Sequence, residues 1–277
     1  MAISRNQLVK ELEPGLNALF GLEYKQYENQ SAEIYTTESS DRAFEEEVML
    51  SGFAQAQVKP EGSGVTYDNA QETFTARYTN ETIALAFAIT EEAIEDNLYD
   101  RLASRYTKAL ARSMASTKQV KGAAPLNNGF GTFQSGDGVA LFSTAHPTIA
   151  GTFSNTLATA ADLNETSLEQ ALIDIAALTD ERGLKIAAKG VKMIIPSALQ
   201  FVAERLMKSQ GRTSTADNDI NAIASMGMIP QGYRVNNYLT DSDSFYILTD
   251  VPNGMKMFQR APLTTAMEGD FDTGNVR

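Results

Sequence analysis

Cysteine is absent from the chain and histidine occurs once. The first absence excludes a disulfide framework, a thiol nucleophile and a thiolate metal site, and it fits a reducing cytoplasm. Copies that assemble must then be held by packing or by some bond other than a disulfide. With a single histidine, a metal site would lack both a second imidazole and any thiolate, so only an oxygen-ligand site stays open. Long apolar runs are also missing. The most apolar stretch, Ile83 to Ile89, is far short of the ~20 residues a membrane helix needs. Arg5, Lys10, Glu11 and Glu13 interrupt the first turns of sequence, so no signal-peptide run is expected there. Basic residues are scarce at the front: residues 1–100 hold 6 Lys and Arg against 19 Asp and Glu, within a total of 23 against 35. Such a half argues against a general nucleic-acid surface, which needs clustered cations. It fits a solvated acidic surface, or one that meets a basic surface on a neighbour.

What is present describes an ordinary globular chain. Its 277 residues, 43% hydrophobic and 21% charged, suffice for one large domain or two modest ones. No internal repeat or low-complexity linker divides them.

Residues 1–50 read as an arm. Leu8, Leu12, Leu16, Leu19 and Phe20 have helical spacing, but Pro14-Gly15 is expected to limit any helix. Tyr24 to Asp41 shows no sustained period and is expected to lie along another surface. Residues 51–90 read as strand and hairpin, with turn chemistry at Pro60-Glu61-Gly62-Ser63-Gly64. Alternation runs from Thr73 to Ile89, but its parity switches: Phe74, Ala76 and Tyr78 are even, Ile83, Leu85, Phe87 and Ile89 odd. A bend or bulge near Asn80-Glu81 is the expected consequence.

Residues 91–120 predict a long helix. Thr90 can cap it, and Glu91, Glu92, Glu95 and Asp96 suit its positive end. Ile94, Leu98, Leu102, Tyr106, Leu110 and Met114 suggest its contact ridge, and Arg101, Arg105, Lys108, Arg112, Lys118 and Lys121 make its second half basic. Residues 122–160 read as loop. Beyond them Ser167-x-x-Gln170 suggests a capping box opening a helix with Leu168, Leu172, Ile175 and Leu178 inward, closed by Gly183. A strand at Val191–Ile195, a Ser197-capped helix ending at Gly211, and a short helix from Ile220 to Gly227 follow. Strands are expected at Tyr233–Leu239, Ser244–Thr249 and Met255–Arg260.

No constellation carries catalysis. His146 follows Ser143 by three residues, but triads are defined by spatial geometry. A loop histidine bonded to a backbone carbonyl is the plainer expectation. Asp217-Asn218-Asp219 and Asp241-Ser242-Asp243 lack calcium-loop spacing and fit caps and turns. Glu45-Glu46-Glu47 fits a solvated face. Gly129, Gly131 and Gly136 have neither phosphate-loop nor dinucleotide spacing.

An arm, a projecting ribbon, a long helix and an α/β region without an active site form a layout with a known counterpart. The stretches Leu8 to Tyr24, Ala86 to Asn97, Leu141-Phe-Ser-Thr-Ala-His-Pro147 and Met267 to Arg277 resemble the Mu-type major head subunits of tailed bacteriophages. These are major capsid proteins with the Hong Kong ninety-seven fold, an α+β architecture. The resemblance implies an N-terminal arm (1–50), an extended loop (51–88), a peripheral domain with a spine helix (89–123), an axial domain (124–254) and return strands (255–277). It implies a structural subunit and not an enzyme, with no cofactor or metal. Hexamers and pentamers would build an icosahedral shell around double-stranded DNA, assembled in the bacterial cytoplasm without a membrane. Its partners would be other copies, a portal and a separate scaffolding protein, because the arm follows Met1 directly. The alternative on the same fold is a cargo-holding nanocompartment shell. Lys59 is the only lysine of the extended loop, and no asparagine is assigned to it as a crosslinking partner. The natural chain is expected to continue past Arg277 or to fray there.

Overall fold

A computed structural model describes residues 5–90, 99–212 and 219–266. In chain order the elements are α1 (Arg5–Gln26), β1 (Thr36–Ser39), β2 (Phe44–Leu50), β3 (Glu72–Thr79) and α2 (Tyr99–Asn127). They continue as β4 (His146–Thr148), β5 (Gly151–Phe153), α3 (Glu165–Ala177), β6 (Gly190–Ile195) and α4 (Gln200–Lys208). The last are α5 (Ala222–Met226), β7 (Tyr233–Val235), β8 (Tyr246–Thr249) and β9 (Lys256–Gln259). They form two compact units, one of residues 1–29, 80–122 and 259–277, the other of residues 30–79 and 123–258.

In the first unit α1 runs unbroken through Pro14-Gly15, against the expectation of a limited helix. A proline removes one helical donor, and a helix of 22 residues rich in Leu, Glu and Lys absorbs that loss. Phe20 is buried and stacks on Tyr24 at 6.0 Å. The end of α2 bears a second correction. It does not stop near residue 120 but continues through Pro125 to Asn127, so the expected loop begins later. Its contact ridge also differs from the expected one. Ala103, Thr107, Ala111, Ala115 and Gln119 are buried, whereas Tyr106 is 51% exposed. The buried row therefore lies one position further along the sequence and is mostly small, which lets packed backbone come close. Leu110 and Met114 instead line an apolar pocket of about 150 Å³ with Leu16, Phe20, Leu85 and Phe87. The proposed Thr90 cap and Glu91–Asp96 end of the helix involve positions outside the described residues.

The alternation at Ile83–Ile89 does not make a strand. The ladder stops at Thr79, and beyond it only Ile89 forms an isolated bridge. The parity switch at Asn80-Glu81 thus marks the end of β3, which is also where the chain passes from the second unit to the first.

The second unit is built on a three-stranded sheet in the order β7-β6-β8, with β6 parallel to β7 and antiparallel to β8. β6 is buried on both faces, as a central strand between two layers must be. Met193 and Ile195 pack with Leu168 and Leu172 of α3, Ala203 and Leu206 of α4, and Ile223 of α5. Ile194 faces the other way, onto Ile34, Leu126 and Tyr246. Ile34 comes from the stretch expected to lie along another surface, and it is anchored there by burial. Lys192 holds that stretch too, with Nζ 2.8 Å from Glu33 Oε2.

Helix termini follow local chemistry, with one shift. The cap of α3 is Asn164, whose Oδ1 accepts from Ser167 N–H at 2.9 Å while Ser167 Oγ accepts from Asn164 N–H at 3.0 Å. Ser167 is therefore the third residue of the box and not its cap. The helix closes at Leu178, and Gly183 belongs to the following turn. Ser197 opens a 3₁₀ turn ahead of α4 and makes no capping bond, and α4 ends at Ser209 rather than Gly211. α5 is shorter than expected, capped by Asn221 and ended by Gly227 at φ +60°, a left-handed position that glycine fills without strain.

Candidate assembly interface

β2 and β3 form an antiparallel ribbon with Glu45 opposite Tyr78 and Glu47 opposite Ala76. β2 lies inside what the sequence presents as arm, and its three glutamates are not merely solvated. Glu46 pairs with Arg77 at 2.6 Å, and the same guanidinium lies 4.5 Å over the Phe44 ring. Glu47 pairs closely with Lys256, which also reaches Glu38 at 3.4 Å. The Glu47 hydrogen bond is the main influence holding Lys256 above its ordinary pKa. Burial first, and Glu47 second, raise the Tyr78 phenol, whose ring packs 5.4 Å from Phe258. The root of the ribbon is thus fixed by paired charge and aromatic contact. Gly136 supports it from another side, since a Cβ there would come within 2.9 Å of Ala76 Cβ.

Beyond the root the ribbon is bare. Ser51 N–H donates to Gln71 O at 2.8 Å, and Ala54 N–H donates to Asp68 Oδ2 at 2.7 Å. That N–H, followed by the N–H of Asn69, holds the Asp68 carboxyl below its ordinary pKa. Further out the Pro60–Ser63 turn closes the loop with a 3.2 Å bond. Val58 and Tyr67 are each 94% exposed, Val65 is 68% exposed and Lys59 also lies in solvent. Burying one such apolar side chain is worth about 1.5–3 kcal/mol, and an isolated two-stranded ribbon is marginal in water.

On α2, Arg105, Lys108 and Arg112 are exposed and make no ion pair among the described residues, whereas Lys121 pairs with Glu81 at 2.6 Å. The 3- and 4-residue spacing puts these three cations on one face.

The positions singled out for chemistry do not converge. His146 begins β4, and its Nδ1 lies 2.6 Å from Asp137 Oδ2, a carboxylate partner in place of the expected backbone carbonyl. Ser143 Oγ accepts from Ala145 N–H and serves a turn. Asp241 Oδ1 accepts from Asp243 N–H at 3.1 Å, again a turn. Asp217 and Asn218 lie outside the described residues, and Asp219 caps a loop through its carbonyl, which accepts from Arg212 N–H. No group of three metal-ligating side chains occurs among the described residues, and no described helix is long and apolar enough to cross a membrane.

The chain is thus a two-unit α+β fold with a long helix, a three-stranded central sheet and an exposed ribbon. The family model described as phage capsid protein matches residues 72–277, and the chain belongs to that family. The fold is also that of the bacteriophage JBD30 capsid, with TM-score 0.58 and 13% identity over 77% of this chain and 92% of that one. The procapsid of bacteriophage JBD30 matches with TM-score 0.57 and 16% identity, over 86% of this chain and 100% of that one. The JBD30 capsid decorated with minor capsid protein trimers matches with TM-score 0.56 and 13% identity, over 75% and 89%. No curated protein matches. The chain is a structural subunit of a phage head, a virion component with the Hong Kong ninety-seven fold.

Proposed function

We propose that this chain closes into an icosahedral head of hexamers and pentamers around double-stranded DNA, with the ribbon of each subunit lying over the next. The observation that carries this reading is the ribbon itself: apolar side chains in solvent, on a loop with free backbone edges, next to a root held by ion pairs. An edge of that kind invites pairing with another chain, and regular assembly turns that hazard into an interface. A contact between different patches on identical copies closes into rings when the rotation permits.

On this reading residues 1–50 are the arm, 51–88 the extended loop, 89–123 the spine-bearing peripheral domain, 124–254 the axial domain and 255–277 the return to the peripheral domain. The exposed Arg105, Lys108 and Arg112 face packaged phosphate, which binds cations without regard to sequence. The subunit does no chemistry of its own. Assembly takes place in the host cytoplasm with a portal and a separate scaffolding protein, and the finished shell accepts a decoration protein. The likeness to Mu-type head subunits supports the same assignment.

Electron microscopy of the expressed full chain is the decisive test, together with analysis of the contents of any particles. Closed shells that take up DNA in the presence of head partners are expected. Particles filled with a protein cargo and free of DNA would establish the nanocompartment reading instead, and a chain that stays monomeric in every salt and partner condition would defeat both.

A further inference from the structure

We propose that the Asp180–Leu184 turn is a clamp that sets the angle at which the ribbon leaves its own subunit, with Arg182 as the positioning residue. The inference rests on the reading above, in which the ribbon meets an adjacent subunit.

The turn needs nothing from the ribbon to form. Asp180 Oδ1 accepts from the backbone N–H of Arg182 at 2.9 Å and of Leu184 at 2.8 Å. The Asp180 N–H donates to Leu184 O at 2.8 Å, Gly183 sits at φ +83°, and a bridge between Thr179 and Lys185 closes the base. An aspartate that bonds its own backbone two residues on is a common way to fix a tight turn.

From this rigid support Arg182 Nη2 donates to the carbonyl of Asn69 at 2.7 Å. Asn69 adjoins Asp68, whose carboxylate ties the two legs of the ribbon together through Ala54 N–H. On the other leg Gly52 lies against the same turn, close enough that a Cβ would sit 3.7 Å from Asp180 Oδ2. One leg is therefore bonded to the turn, and Asp68 ties the other leg to it where Gly52 passes close by. The arginine itself is held at a cost. Its Nε is buried without a hydrogen-bond partner among the described residues, although a surface arginine would normally keep that donor hydrated. A guanidinium with one donor shut off from solvent and another bonded to a main-chain carbonyl is held in a narrower range of positions than a fully hydrated one.

The magnitude favours a role in assembly over one in folding. From Ala54 to the turn at Glu61 the ribbon can reach up to roughly 25 Å at the rise of an extended chain. A rotation of about 10° at its base moves the tip by roughly 4 Å, close to the ~4.8 Å spacing of neighbouring strands. Such a shift would misplace Val58, Val65 and Tyr67 on a neighbour while leaving the subunit core untouched.

The absence of cysteine permits a direct measurement. Spin labels at Glu61→Cys and Ala176→Cys report the distance from the ribbon tip to the outer face of α3 in the full chain, with Arg182 intact or replaced by Ala or Lys. Arg182→Ala should broaden that distribution by several ångströms, leave the subunit's Tm nearly unchanged and reduce closed particles at least tenfold, and Arg182→Lys should restore part of both. If Arg182→Ala does not fold, Arg182→Gln carries the same readouts. An unchanged distribution, or normal closed shells from the Ala variant, overturns the clamp. Absence of shells from the unsubstituted protein would instead overturn the assembly reading on which it rests.

Discussion

His146 Nδ1 and Asp137 Oδ2 stand 2.6 Å apart, and both side chains are nearly excluded from solvent. Asp137 also accepts from Ser135 Oγ and, at 3.1 Å, from Val139 N–H. Burial pushes the Asp137 carboxyl up, but the bonds from Ser135, His146 and Val139 outweigh it and leave the pKa below its ordinary value. The carboxylate is therefore the organiser of the 135–146 loop. The His146 ring packs 5.8 Å from Phe153 on β5, which links the loop to the hairpin behind it.

A folded pKa below the unfolded one stabilises the native state above the unfolded value and loses that contribution as pH falls through the folded one. Loosening of residues 135–146 is thus expected only below the ordinary aspartate pKa of 3.8. Asp137→Asn should remove the contribution at neutral pH, at about 1–3 kcal/mol for a buried bond to a charged group. Chemical denaturation of the subunit across a series from pH 7 to well below 3.8 checks both points. A variant as stable as the parent at pH 7 would show that the pair organises nothing.

The small ridge of α2 makes a second prediction. Ala111 has no exposed surface, and the buried Thr107 and Ala115 flank it one turn away on either side. Ala111→Leu should destabilise the subunit by about 1–3 kcal/mol through overpacking. Tyr106→Leu on the exposed side should cost less than Ala111→Leu. Thermal melts of the two variants distinguish the observed ridge from the Tyr106–Leu110–Met114 ridge that periodicity suggests, for which the order would be reversed.

That ridge shows what the sequence conveys and what it withholds. Large apolar residues at every fourth position do announce a helix, but the side it buries depends on how close the neighbouring backbone comes. Small residues such as Ala103 and Ala111 mark that approach, and they carry little weight in a hydrophobicity pattern. The parity switch at Asn80 coincides with the end of β3 and with the passage between the two units, but the alternation beyond it suggested a strand that does not form, and Ile83 and Leu85 stay exposed. Continuation of α1 across Pro14 was not legible, since a proline's local cost says nothing of the stabilising residues around it. The His146 partner was hidden for another reason: only the fold of the 135–140 turn brings Asp137 under the ring. Exposure of the ribbon, in contrast, could be read from its thin scatter of large side chains, which cannot bury one another.

The basic face of α2 supports a third prediction. Arg105 and Arg112 are exposed and unpaired among the described residues, so exchanging both for Gln should shift subunit stability by less than about 0.5 kcal/mol each. If they face packaged phosphate, DNA retention by shells should weaken and its salt dependence should flatten by about one unit per lost contact. Equal loss of thermal stability in free subunits and in shells, with unchanged DNA retention, would make the stripe purely structural.

The ribbon's outer part is expected to be dispensable for folding and necessary for assembly. Between Gln57 and Val65 the chain makes no ladder, and the Pro60–Ser63 turn supplies its only backbone bond among the described residues. Ordering a residue's backbone costs roughly 1–2 kcal/mol. Val58 and Val65, being exposed, return almost none of that in a lone subunit, whereas a covering neighbour would supply about 1.5–3 kcal/mol for each side chain buried. Replacing residues 57–66 by a short Gly/Ser turn removes Val58, Lys59 and Val65 but keeps Asp68, Asn69 and Gln71, so the root and its bonds survive. The shortened chain should show an unchanged circular dichroism spectrum and a Tm equal to or slightly above that of the parent. In size-exclusion chromatography and electron microscopy it should yield subunits or small oligomers in place of closed shells. Normal particles from the shortened chain would mean that the shell is held by the two compact units alone, and that the apolar residues of the ribbon tip meet nothing in it.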